Sequence, residues 1–243
     1  MRKKVIGTAT LYLADCMDVL PSLEVVHAVV TDPPYGIGFM YNGKKEVATT
    51  PEKFWSWYSG IHATYCERLL PGGFCAVWHS GTYHRYLWDW YGADIRIYIA
   101  AKNFVQLRKT AINHAYDPVV FFYKSGQTPL RPSNPPRNLD FSVGNTAGII
   151  SDRTRLEKKH PTPRPLDQVE HIVKNFTCDG AVVLDPFMGS GTTGVACAKN
   201  GRAFIGIEAE PLYFDIACER IRQQQASLGN IKIDANARKG FIY

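Results

Sequence analysis

Two short runs in this chain hold residue types that could do chemistry. The first is Asp32-Pro33-Pro34-Tyr35, which directly follows the apolar stretch Val25, Val26, Ala28, Val29 and Val30. An apolar run ahead of a proline pair reads as a buried strand reaching its carboxyl edge, where open α/β sheets place their ligands. Two prolines fix two successive φ angles and remove two N–H donors, so the turn offers carbonyl oxygens without competing donors. Asp32 adds an acceptor-only carboxylate and Tyr35 a flat aromatic face. Such a turn suits a planar group that bears an NH2.

The second run is Asp185-Pro186-Phe187-Met188-Gly189-Ser190-Gly191-Thr192-Thr193, with Glu208 standing 23 residues after Asp185. It lies between a strand-like and a helix-like segment, the layout of a nucleoside-binding βαβ unit. Glycines there let backbone approach a ligand, and an acid about 20 residues on can accept hydrogen bonds from ribose hydroxyls. The glycine spacing is not the dinucleotide fingerprint, and the Lys of a phosphate-binding loop is missing. Phe187 and Met188 would hinder a pyrophosphate. A nucleoside with a small charged or zwitterionic arm fits better.

Positioning these runs requires a sheet with helices on both faces, and strand-like and helix-like segments alternate accordingly. Strands are expected at Thr10 to Ala14, Val25 to Thr31, Phe74 to Trp78, Ile95 to Ala101, Val119 to Tyr123, Ala181 to Leu184 and Ala203 to Ile207. Phe54, Tyr58, Ile61, Tyr65 and Leu69 share one helical face, and Pro71-Gly72-Gly73 should stop that helix. Pro165 opens a helix through Leu166, Val169, Val173 and Phe176, and Pro211 opens another. Asn200-Gly201 ends the helix after the glycine-rich turn. Tyr83, Tyr86, Trp88, Trp90 and Tyr91 read as core and helix packing.

With 243 residues and 45% hydrophobic content, the chain suits one domain with insertions. We expect residues 1–226 to form it, with a tail at 227–243 of mixed pattern. The formal charge of +6 and pI of 8.9 favour an anionic partner. From Ser125 to Arg164, seven basic residues face three acids amid many prolines, which marks a basic loop region. Cys16, Cys66, Cys75, Cys178, Cys197 and Cys218 make no Cys-x-x-Cys pair and have no His at zinc spacing. No metal is expected, and the thiols read as reduced and mostly buried in a cytoplasmic protein. Met1-Arg2-Lys3-Lys4 could begin a signal peptide, but Asp15 and Asp18 interrupt the apolar segment that would have to follow. No run approaches the roughly 18 apolar residues of a membrane span.

Taken together, Asp32-Pro33-Pro34-Tyr35 and Asp185 to Thr192 make the chain resemble the amino-group DNA methyltransferases that use S-adenosylmethionine. Ala14-Asp15-Cys16, Leu70-Pro71-Gly72-Gly73, Lys159-His160-Pro161-Thr162 and Gly206-Ile207-Glu208 support the likeness over about residues 10 to 222. Because the catalytic run precedes the cofactor run, the order is similar to the permuted beta class. Pro163-Arg164 departs from the common Gln-Lys, and Ala14 from the common Gly, neither of which is expected to touch the chemistry.

The resemblance implies a single Rossmann-like α/β domain with a mostly parallel, doubly wound sheet of seven strands, one of them antiparallel. It implies that Asp185, Pro186, Phe187, Met188, Gly189, Ser190, Gly191 and Thr192 cradle the methionine and ribose of the cofactor. Glu208, with Ala209 beside it, would bind the ribose hydroxyls, and Asp15 and Cys16 would lie near the adenine ring. Asp15 equally suits a helix N-cap. His160, Pro161 and Thr162 would close over the methionine end, which Asp32 also borders.

Asp32 and the Pro33 carbonyl would accept both N–H bonds of the target amino group, freeing its lone pair for attack on the sulfonium methyl. Pro34 would hold the turn, and Tyr35 would stack on a base flipped out of double-stranded DNA. Target recognition falls to 36–50, with Lys44 and Lys45, and to 125–159, with Arg131, Arg137, Arg153, Arg155 and Lys158. Asp at the head of the tetrapeptide favours adenine N6, with cytosine N4 as the alternative. An RNA or protein-glutamine methyltransferase, or a DNA-binding module that has lost catalysis, ranks behind both. Such enzymes often pair as homodimers, and a short chain with little recognition material suits that. The sequence names no restriction endonuclease partner.

Overall fold

The computed structural model describes residues 1–36, 40–41, 44–45, 49–102, 115–124, 149–150 and 164–239. Along them run β1 (Arg2–Ile6), β2 (Ala9–Leu13), α1 (Cys16–Val19), β3 (Val26–Thr31), β4 (Met40–Tyr41), β5 (Lys44–Lys45), α2 (Pro51–Arg68), β6 (Leu69–Trp78) and α3 (Leu87–Tyr91). Then follow β7 (Arg96–Ala101), β8 (Tyr116–Tyr123), β9 (Ile149–Ile150), α4 (Leu166–Phe176), β10 (Val182–Asp185), α5 (Thr192–Lys199), β11 (Ala203–Glu208) and α6 (Pro211–Lys239).

Among the described residues nine strands form one sheet in the order β1-β2-β11-β10-β3-β6-β8-β7-β9, and β4 with β5 makes a separate hairpin. The seven from β2 to β7 are the mostly parallel sheet expected from the sequence, with β8 running against its neighbours. The count differs from seven because β1 and β9 extend the two edges. β1 escaped the sequence reading because four of its five residues, three of them basic, are exposed, leaving no alternating pattern.

Successive side chains of a strand point to opposite faces, and the two faces build two cores. Ala28, Val30, Phe74 and Ala76 pack with α4, α5 and α6 on one side. Val26, Val29, Cys75 and Val77 pack with α1 and α2 on the other. Each Val or Phe side chain buried this fully contributes about 1.5–3 kcal/mol. The aromatics grouped with the core behave so: Tyr83 stacks on Phe54 at 4.9 Å and Trp90 on Trp55 at 5.2 Å. Trp88 is the exception, at 47% exposed.

The helices that follow β3 and β10 lie on opposite faces although the strands are neighbours, so the chain diverges at their carboxyl ends. Such a divergence opens the crevice in which α/β sheets bind ligands. Pro71-Gly72-Gly73 does end α2, but it lies inside β6, where it absorbs a register shift against β3. A Cβ at Gly73 would stand 2.8 Å from the His27 carbonyl oxygen, so only glycine fits there. At the other end of the chain α6 continues past Ser227 to Lys239, where the sequence suggests only a mixed pattern.

Candidate active site

Parallel pairing of Val183 with Ala28 and Leu184 with Val29 brings the two candidate runs side by side. The Thr31 hydroxyl donates to Asp185 Oδ1 at 2.8 Å, Thr193 donates to Asp185 Oδ2 at 2.7 Å, and the Phe187 N–H donates to Oδ1 at 3.1 Å. Asp185 is only 3% exposed, and burial pushes its carboxyl up to about 7 against the opposing pull of those three bonds.

Glu208 is held in a similar way at the end of β11. Its Oε2 accepts the Gly189 N–H at 2.9 Å and its Oε1 the Glu210 N–H at 2.8 Å. Burial raises this carboxyl, and the backbone bonds oppose the rise. Gly191 adopts φ +80° at the start of α5, and a Cβ there would lie 2.8 Å from the Ala217 Cβ. Arg220 of α6 braces the same turn: its Nη1 reaches the Ser190 carbonyl at 2.6 Å, Ser190 Oγ at 2.9 Å and Thr192 Oγ1 at 3.2 Å. Ser190 and Thr192 therefore spend their hydroxyls on an arginine that sequence reading did not single out. Asp15 caps α1 by accepting the Met17 N–H at 2.9 Å, and burial pushes the adjacent Cys16 thiol up to about 12, so it stays protonated.

A cavity of about 780 Å³ opens at this edge, within the range of small-molecule sites. Asp15, Cys16, Asp32, Pro34, all of Asp185 to Ser190, Thr192, Glu208 and Ala209 line it. Gly191 sits behind the wall, Pro33 is buried, and Tyr35 is half-buried with its hydroxyl on Asp32. Lys44 and Lys45 fall in β5, whose side chains are not described; Thr49 N–H to Gly36 carbonyl, at 2.7 Å, pins the base of their loop. His160, Pro161, Thr162, Arg131, Arg137, Arg153, Arg155 and Lys158 lie outside the described residues.

Arg164, set apart from the candidate site in the sequence, lies directly against Asp32 and Asp117. Its Nε lies 2.6 Å from Asp32 Oδ2 and its Nη2 2.9 Å from Asp32 Oδ1, while Nη1 reaches Asp117 Oδ2 at 2.5 Å. Nη2 also donates to the Tyr35 hydroxyl, which in turn donates to Asp32. Burial alone would raise the Asp117 carboxyl, but the charges of Arg164 and Lys102 outweigh it and hold the group below its usual range. Burial raises the Tyr35 hydroxyl well above its ordinary value, with Arg164 opposing, so the phenol keeps its proton. The sequence signals for Arg164 were its place directly ahead of the Pro165 helix and its standing where the resembled family commonly has Lys; Asp117 had none.

Residues 26–219 match the family model described as DNA methylase, of the N6/N4 type. The chain belongs to this amino-group DNA methylase family. Among its relatives, the type II methyltransferase M.ScaI of Streptomyces caespitosus is 28% identical over 256 residues, covering 90% of this chain and 83% of that protein. M1.HpyAVI, in a structure of its SAM complex, superposes with a TM-score of 0.65 and 25% identity over 88% of this chain and 99% of that one. The cytosine-N4-specific PvuII DNA methyltransferase shares the fold, at a TM-score of 0.69 and 18% identity over 89% of this methylase and 87% of itself. All six cysteines of the methylase are free thiols, four buried and two partly so. Among the described residues no cluster of His, Cys, Asp and Glu could hold a metal ion, and no helix is long and apolar enough to cross a membrane.

Proposed function

We propose that this DNA methylase transfers a methyl group from S-adenosylmethionine to the N6 amino group of adenine in double-stranded DNA. The observation that carries the reading is that Asp32 and the Glu208-braced glycine turn border one cavity from neighbouring strands. The donor set fits the cofactor. Glu208 keeps acceptor capacity for ribose hydroxyls beyond its two backbone bonds.

When bound, S-adenosylmethionine supplies an electrophilic sulfonium methyl. The residues of the chain act on the other reactant. An exocyclic amino group is a poor nucleophile because its lone pair is delocalised into the ring. Asp32 and the Pro33 carbonyl accept its two N–H bonds, draw the nitrogen towards tetrahedral geometry and stabilise the positive charge that develops on it. Flipping the base costs a few kcal/mol, and stacking on Tyr35 returns about 1–3 kcal/mol. Segments 36–50 and 125–159, carried by a catalytic domain at 1–226, serve as recognition loops whose lysines and arginines contact phosphates.

Incubation with labelled S-adenosylmethionine and unmethylated duplex DNA, followed by nucleoside mass spectrometry, tests this. N6-methyladenine is expected. N4-methylcytosine would overturn the base assignment, and unmodified DNA the reaction itself.

A further inference from the structure

We propose that Arg164 is a positioning residue for methyl transfer: anchored on Asp117, it holds the Asp32 carboxylate so that one lone pair of Oδ2 faces the target amino group. The inference rests on the function proposed above.

Hydrogen-bond accounting points to it. A guanidinium has five N–H donors in a planar fork, and a carboxylate has about four acceptor positions. Four of the arginine's donors are engaged: Nε and Nη2 on the two oxygens of Asp32, Nη2 again on the Tyr35 hydroxyl, and Nη1 on Asp117. On Asp32, Oδ1 accepts from both Arg164 and Tyr35. Oδ2 accepts only from Arg164 Nε among the described residues, so it alone keeps a free lone pair. A carboxylate otherwise turns broadly about its last torsion. The bidentate clamp removes that freedom before any base arrives.

A second carboxylate anchors the clamp. Asp117, with a side chain only 7% exposed, binds the far side of the guanidinium, and Lys102 Nζ lies 2.8 Å from Asp117 Oδ1, so two carboxylates meet two cations in a four-member network. The fold explains why Asp117 is present. Strand β8 is antiparallel, so its first residues lie at the sheet edge where the parallel strands finish. Lysine is a poor substitute, because its point charge cannot grip both oxygens of Asp32 and still reach Asp117.

The test uses the full chain with duplex DNA and S-adenosylmethionine. Misplacing a reacting group by about an ångström costs on the order of 100-fold, so Arg164→Ala is expected to lower kcat by about 30- to 100-fold. Its Kd for S-adenosylmethionine should stay within about twofold, because the cofactor-facing turn is braced separately by Arg220 and Glu208. Millimolar guanidinium should restore at least about tenfold of the lost kcat, whereas ammonium should not, since only the planar fork pairs bidentately. Asp117→Asn should give a smaller kcat loss with the same unchanged Kd.

A purely structural ion pair would instead lower the melting temperature and cofactor affinity together, with no rescue by guanidinium. That result overturns the proposal, as does an Arg164→Ala enzyme with kcat within about threefold of the parent. Should Arg164→Ala fail to fold, Arg164→Lys decides: full kcat overturns the role, and reduced kcat with unchanged Kd supports it. Failure of the unaltered protein to methylate any DNA would overturn the proposed function, a result distinct from an active enzyme indifferent to Arg164.

Discussion

Two Asp-Pro pairs end two neighbouring strands, yet their carboxylates live in opposite surroundings. Asp32, at the end of β3, has a side chain 29% exposed and is paired with a guanidinium. Asp185, at the end of β10, is 3% exposed and bonded to two hydroxyls and an amide. The Asp-Pro pair is shared; the residues around it and the packed neighbours differ. A guanidinium grips the first carboxylate from one side, whereas burial raises the pKa of the second against the pull of the neutral donors that hold it in place. The proposed function has the first acid act on a substrate; the second ties two turns together.

Removing each acid should separate these roles. Asp32→Ala is expected to lower methyl transfer by about 100- to 1000-fold, the range for loss of one group that stabilises developing charge. Its affinity for S-adenosylmethionine, read by calorimetry, should hardly change; near-normal turnover would break the contrast. Asp185→Ala should show the reverse emphasis. It strands the Thr31, Thr193 and Phe187 donors and should cost about 3 kcal/mol or more in denaturant unfolding, at about 1–3 kcal/mol for each buried group left unsatisfied. A stability close to that of the parent would show the knot to be dispensable.

The finest distinction is in pH. The Asp185 carboxyl is raised in the fold from 3.8 to about 7, so the native state holds its proton more tightly than the unfolded chain does. Its contribution to stability is full below 3.8, declines as pH rises and is gone above about 7. Asp185→Asn, neutral and of the same shape, should flatten the melting temperature across that window. An unchanged profile would remove Asp185 as the source of the slope.

The parts of the fold legible in the sequence were those with a strong period or an unusual turn. The apolar run of β3 and the Leu166, Val169, Val173 spacing of α4 belong to elements packed on the core. The part of α6 beyond Ser227 was not legible, because its residues keep no apolar helical period; the glycine within it costs only about 1 kcal/mol and does not by itself end a helix already under way. In the site, Asp32, Asp185 and Glu208 were legible because each sits at a strand end beside turn residues. Asp117 was not, since it begins a strand that runs backwards in the sheet, a fact of topology and not of local pattern. Arg164 was visible as a charge, but its partners lie 132 and 47 residues away.

The hydrogen bond from Thr31 to Asp185 joins stretches of chain 154 residues apart. Through it the two turns behave as one mechanical unit. Replacing Thr31 with an apolar residue would leave Asp185 Oδ1 with the Phe187 N–H as its remaining donor among the described residues, so a change in one turn is felt in the other. Positions 31, 185 and 193 therefore have to be redesigned together.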